Sequence, residues 1–261
     1  ALSLLMSLVM LVSMLPTTAW AADTTETTTV NVDFTAQAAG TFLIPPKFNV
    51  EVASNEAENF GYTDSVEGVS ALDVLVKAHE ILLEDAFTKE SASESLIIND
   101  KGFVTKIFGI EPSANGFILN GGYPNDGTKS QQGGYTGTTV TTQAVSNGDR
   151  VEFFCYQDAT NWSDELAWFC QNGVFTDTVT AKPSSAVDVV LKSTSYMGGY
   201  MFRDAEAMHG AGSAVVGAQL AWVNTADGTL TNIEGAVTDA DGKVTLTMPA
   251  DEGISYLTAY M

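Results

Sequence analysis

Gly68-Val69-Ser70-Ala71-Leu72-Asp73-Val74-Leu75-Val76-Lys77-Ala78-His79-Glu80-Ile81-Leu82-Leu83 is the stretch whose reading decides the architecture. Ser70 with an acid three residues on, Asp73, has the spacing of a helix cap, in which the hydroxyl takes a backbone N–H of the first turn and the acid reaches back. Leu72, Leu75, Ala78, His79, Leu82 and Leu83 then recur at steps of three and four, which predicts one amphipathic helix from about Ala71 to Ala86.

On either side of that helix the period changes to two. Thr29 to Phe34 alternates polar with apolar side chains, and Thr41 to Val52 holds a second apolar stretch around Pro45-Pro46. After the helix come Ser95 to Ile98, a turn at Asn99-Asp100-Lys101-Gly102, Phe103 to Ile110, Gly116 to Asn120, a Gly, Tyr and Thr-rich loop from Gly121 to Gly137, and the strand Arg150 to Tyr156. One helix among short strands reads as α+β. From about Asp164 onward the pattern is all-β: Leu166 to Phe169, Phe175 to Ala181, Ala186 to Leu191, Ala218 to Val223, Gly235 to Thr238, Val244 to Met248 and Ser255 to Tyr260. Asn172-Gly173, Asp227-Gly228 and Asp241-Gly242 mark hairpins between them, which suggests a sandwich.

The ends and the composition set the context. Leu2 to Leu15 is apolar, too short for a confident membrane span, and is followed by Pro16 and Ala19-Trp20-Ala21, the small-x-small pattern of signal-peptidase sites. Residues 1–21 therefore read as a secretory signal, an uncleaved anchor being the alternative, and residues 22–29 as a flexible tether. Export places the protein outside the cell or on its surface, with no membrane span after cleavage. The chain of 261 residues then divides into a first domain over 30–157, a junction over 158–164 and a sandwich over 165–261. Its net charge is −21, but only 16% of its residues are charged and 45% are hydrophobic, so there is core material enough to exclude disorder. The negative charge is shared by both domains and repels phosphate, which excludes a nucleic-acid partner.

Gly68 to Leu75, Gly102-Phe103-Val104-Thr105-Lys106-Ile107-Phe108-Gly109-Ile110, Gly116-Phe117-Ile118-Leu119-Asn120-Gly121 and Asn147-Gly148-Asp149-Arg150-Val151 occur in an order that resembles the transcobalamin C-terminal-like domain of bacterial surface proteins. That resemblance implies a β-grasp-like fold with one main helix. Gly217 to Val223, Val237 to Leu246 and Tyr256 to Tyr260 look like a bacterial immunoglobulin-like module, which implies a β-sandwich and a spacer role. The first resemblance implies a cobalamin or related corrinoid as ligand, with Phe117, Asn120, Tyr123 and Tyr135 as its first contacts, the tyrosines exposed on the Gly-rich loop. A structural or adhesive stalk that binds cell-surface proteins or glycans is the rival reading.

Candidate chemistry is sparse. Cys155 and Cys170 lie 15 positions apart in a chain read as exported, which invites a disulfide across the junction worth about 3 kcal/mol in the loop-entropy account. Two separately buried thiols are the alternative. His79 and His209 read as a packing and a loop histidine. Asp239-Ala240-Asp241-Gly242 opens like a calcium loop, but Ala250 stands where the twelfth-position Glu belongs, so a hairpin turn is the better reading. Neither a metal site, a cofactor nor a catalytic group is expected. Tyr196-Met197-Gly198-Gly199-Tyr200-Met201-Phe202 is read as a core cluster on a strand or its adjoining loop.

Overall fold

The computed structural model describes residues 27–38, 40–111, 114–131 and 133–261, of which residues 196 and 197 are described by their backbone only. The signal reading of residues 1–21 and most of the tether lie outside the described residues. The molecule is rich in β-structure, with few helices.

Two long strands open the first module, β1 (Thr29–Ala38) and β2 (Thr41–Ala53), paired antiparallel and followed by a single turn of helix, α1 (Glu56–Asn59). The deciding segment forms α2 (Ala71–Leu83), and both halves of its capping box are present: Ser70 Oγ accepts from Asp73 N at 3.1 Å and Asp73 Oδ2 accepts from Ser70 N at 2.8 Å. The helix ends three residues earlier than the periodicity suggests, because Glu84 turns into the left-handed region (φ 48°) and residues Glu84–Ala86 tighten into a 3₁₀ turn. Ala71 to Val76 are all buried, not one stripe alone. The returning chain covers the back of the helix, with Leu72 N donating to Val140 O and Val145 N to Val69 O.

Beyond α2 lie the short strands β3 (Ile97–Ile98) and β4 (Val104–Lys106), then β5 (Asn115–Leu119), the hairpin β6 (Asn125–Lys129) and β7 (Tyr135–Gly137), and β8 (Arg150–Cys155). The main sheet has the order β2-β1-β8-β5, with β1 and β8 parallel at its centre and the other pairs antiparallel. A parallel central pair cannot be joined by a hairpin. Between β2 and β8 the chain packs α2 against the sheet, burying Phe34, Val52, Leu72, Leu75, Val151 and Phe153 in one core.

The second module runs through β9 (Glu165–Gln171), β10 (Val174–Phe175), β11 (Ala186–Ser195), two short helices, α3 (Tyr196–Gly199) and α4 (Ala205–Ala211), and then β12 (Ser213–Ala214), β13 (Gln219–Val223), β14 (Leu230–Val237), β15 (Lys243–Thr247) and β16 (Tyr256–Tyr260). One sheet has the order β10-β9-β11-β12 with β15 also on β11, and the other β14-β13-β16. Val187, Val189, Leu220, Ala236, Val244 and Leu246 fill the space between them. β14 lies against β15, which closes that side of the pair of sheets, while β9 and β16 lie at the opposite side.

Two expectations for this half are corrected. The strand expected over Phe175 to Ala181 stops at Phe175, and Thr176 to Pro183 runs without regular pairing. The region read as free of helices contains α3 and α4, each started by a side-chain cap: Ser195 Oγ accepts from Gly198 N and Asp204 Oδ1 from Ala207 N.

Candidate functional site

The Gly-rich loop of the first module is short of side chains because the second module lies against it. Tyr123 stacks on Tyr200, ring centroids 4.7 Å apart, Tyr135 N donates to Tyr200 O at 2.8 Å, and Asn125 Nδ2 donates to Arg203 O at 3.0 Å. A Cβ at Gly122 would meet that of Ala205 at 2.8 Å, and one at Gly137 would meet the Tyr200 ring at 2.8 Å. His209 on α4 reaches back, its Nε2 2.8 Å from Gly121 O; a carbonyl only accepts, so Nε2 carries the proton. Its ring stacks on Phe175 at 3.8 Å, and burial pushes its pKa below the ordinary imidazole value. Ile118 and Tyr123 from the first module and Trp168, Cys170 and Met208 from the second thus form a third core that belongs to both.

A second contact joins the modules along the first half of β2. Phe42 and Phe48 meet Tyr256 of β16 at 6.4 and 6.5 Å between centroids, and Gly228 lies against Phe42. The junction between the two contacts is a knot and not a loose tether. Asp158 accepts from Thr160 N, Asn161 N and Ser163 Oγ, which holds its carboxyl down to about 2, chiefly through Asn161, and Asp164 accepts from Gln157 N and Asp158 N.

Between these contacts opens a cleft of about 970 Å³, lined by both modules. This is near the top of the range of roughly 300–1,000 Å³ usual for small-ligand sites. Phe42, Phe154 and Tyr156 of the first module and Trp168, Phe169, Trp222 and Tyr256 of the second give it aromatic walls, and it runs in between the two sheets to Val189 and Leu246. The irregular segment Thr176 to Pro183 forms one flank. The buried indole N–H of Trp168 has the Cys170 sulfur as its polar neighbour.

Seven carboxylates line the cleft, Asp33, Glu152, Asp164, Glu165, Asp177, Asp251 and Glu252, against two cations, Arg150 and Lys182. Four of the acids are engaged: Asp33 by Asn49 N, Asp164 by the junction, Glu165 by Ser193 Oγ, and Glu152 by Arg150 Nε at 3.3 Å. That last contact is an ion pair without hydrogen-bond alignment. Asp177, Asp251 and Glu252 are exposed and make no such contact among the described residues. The Tyr256 phenol is pushed above its ordinary pKa, first by burial and then by the Glu152 charge, so it stays protonated and able to donate.

The residues expected to touch a ligand do not converge. Phe117 is buried in the first core beside Phe153, because β5 turns that face towards α2. Tyr123, expected on an exposed loop, is only 8% exposed and wedged into the shared core. Tyr135 stands apart from the cleft, with Lys129 Nζ 5.7 Å over its ring. Asn120 does line the cleft, but its side chain bridges Asp149 Oδ1 at 2.7 Å and Arg150 N at 2.9 Å. The disulfide is corrected as well. Cys155 and Cys170 are free, because Cys155 packs on the first core while Cys170 faces the shared one.

Most of the cleft walls escaped sequence reading because they are core-type residues whose neighbours lie on a different module. Phe42 and Phe48 carry no motif, and the stretch Gly217 to Val223 that holds Trp222 was read for its fold and not for a site. Among the described residues no group of three or more His, Cys, Asp or Glu is placed to hold a metal ion, and no helix is long and apolar enough to cross a membrane. Compared with family models, curated proteins and solved structures, the chain matches none of them.

Proposed function

We propose that this is an exported, secreted or surface-held binding protein whose ligand occupies the cleft between its two modules. The observation that carries the proposal is the cleft itself: a large cavity with aromatic walls drawn from both halves, held open between two packed contacts. On this reading the first module is a β-grasp-like domain akin to the transcobalamin C-terminal-like family, supported by the parallel β1–β8 centre and the single long helix. The second is an immunoglobulin-like sandwich, supported by its two facing antiparallel sheets. The second module is then half of the site and not a spacer.

A cobalamin or related corrinoid remains the first ligand to try, now with Asn120 and the aromatic walls as its contacts. Titration should quench the fluorescence of Trp168 and Trp222 and shift the corrinoid spectrum; no change at high micromolar concentration rules the corrinoid out. The cleft is tested separately with Nile red, an uncharged apolar reporter, which should brighten on entry. Ala167→Trp, at an exposed cleft position on β9, should abolish the brightening, and dye binding that ignores this filling would place the dye elsewhere. The stalk reading draws on one specific observation, the shared core, which makes the two modules a stiff unit able to hold partners at a distance.

A further inference from the structure

The cleft is bounded by two strand edges that lack a neighbour. Among the described residues β13 is the one strand that β16 pairs with, so its other edge has no strand beside it, and Ser255 to Ala259 all line the cleft. On the facing sheet β9 pairs with β11 on one side, while on the other it is covered from Phe169 to Gln171 by β10 and Thr176, among the described residues. Glu165 to Phe169 line the cleft too. The segment between β10 and β11 extends the β9 pairing by one bond, Thr176 N to Phe169 O, and lays Val179 and Ala181 on the sandwich core, but adds no strand to either edge. Among the described residues Asp177 to Lys182 donate no backbone hydrogen bond.

Natural sheets guard such edges with charge, proline or bulges. β2, the outer strand of the first sheet, carries Pro45, Pro46 and Lys47. β16 is Tyr-Leu-Thr-Ala-Tyr, with no charge and no proline. Tyr256 to Ala259 lie within the cleft instead, and Tyr260 at the end of the strand is exposed.

We propose that the cleft takes an extended peptide segment of a partner protein, added as a strand to the open edge of Tyr256–Tyr260. The inference rests on the cleft being the binding site and deepens it by naming the ligand class. Strand addition takes its affinity from main-chain hydrogen bonds and its specificity from alternate side chains. Leu257 and Ala259 pack on the sandwich core, so every second peptide residue on that side meets apolar surface. Seven carboxylates against two cations line the cleft as a whole, and Asp177, Asp251 and Glu252 are exposed without a protein contact among the described residues, a negative field that favours lysine or arginine in the peptide.

The probe is an acetylated, amidated octapeptide alternating Val and Lys, titrated against the full chain by displacement of Nile red and by amide hydrogen exchange. Displacement is expected, with exchange slowed at the amides of residues 255–260. Methylating the peptide nitrogens along one edge should weaken binding at least about tenfold, since each lost main-chain bond carries a large share of strand affinity. A Val–Glu peptide should bind about tenfold more weakly than Val–Lys, and the surface variant Asp177→Asn, Asp251→Asn, Glu252→Gln should narrow that gap. N-methylated and unmodified peptides binding alike, or binding without protection at residues 255–260, overturns strand addition. Nile red binding that no peptide displaces overturns strand addition and leaves the cleft standing; neither dye nor peptide binding overturns both.

Discussion

His79 is fully buried and held at both ring nitrogens. Its Nε2 accepts from Phe108 N at 3.0 Å, so the proton sits on Nδ1 and is donated to Leu75 O at 2.8 Å, while Phe87 and Phe108 flank the ring. Protonating Nε2 costs the Phe108 bond and places a charge among hydrocarbons. Burial accordingly pushes the folded-state pKa from the ordinary 6.5 to about 4. The unfolded chain takes up the proton first, so the stability that the neutral ring gives is whole above pH 6.5 and falls as pH drops towards about 4, by on the order of 3 kcal/mol in all. Urea unfolding at pH 7, 5 and 4 should show this loss, and His79→Gln, which keeps an acceptor for Phe108, should flatten it. An unchanged pH slope in the variant would assign the acid sensitivity to other groups. The sequence placed His79 on the apolar stripe, as its spacing with Leu75 and Leu82 allows, but its second partner comes from Phe108, 29 positions away, which no local pattern reveals.

At the scale of elements, legibility followed how local the cause was. α2 was readable because its cap, stripe and first turn lie within fourteen residues, and β8, β11, β13, β15 and β16 because alternation marks a strand with one face buried. The helices α3 and α4 were masked by glycine, although Asp204 three residues before Ala207 was a usable capping signal. The Gly121 to Gly137 loop was misread for a different reason. Its glycines looked like the flexible setting of exposed tyrosines, whereas they are clearance for a neighbouring module. A Cβ at Gly199 would overlap the Tyr123 ring. Gly199→Ala should therefore push Tyr123 off Tyr200 at a cost of roughly 1–3 kcal/mol, and should speed hydrogen exchange across residues 121–137 while α2 stays protected. Gly210→Ala is the control, because like Gly199 it is a helical glycine without a left-handed backbone, but it has open space around it. Equal effects of the two would mean that the module contact is not what keeps Gly199 a glycine.

Over the whole molecule the acidity and the packing have separate jobs. Apart from Asp73, buried at the cap of α2, charge lies mainly on surfaces and along the cleft, while three apolar clusters hold the fold, one in each module and one common to both. The common cluster implies that the modules unfold together. Calorimetry should show one transition for the native chain and, for Tyr200→Ala, which removes the stacking partner of Tyr123, either two transitions or one broadened well beyond the native width. A sharp single transition in the variant would mean that the Phe42 to Tyr256 contact couples the modules alone. The candidate site was least legible of all, since a cavity between modules is made by residues that each look like ordinary core in their own half. The shared cluster also bears on ancestry. A gene segment ending at the Asp158–Asp164 knot would expose Ile118 and Tyr123 on one product and Trp168 and Met208 on the other, so recombination that separates them yields two sticky halves. Shuffling among genes should therefore preserve this couple as one cassette.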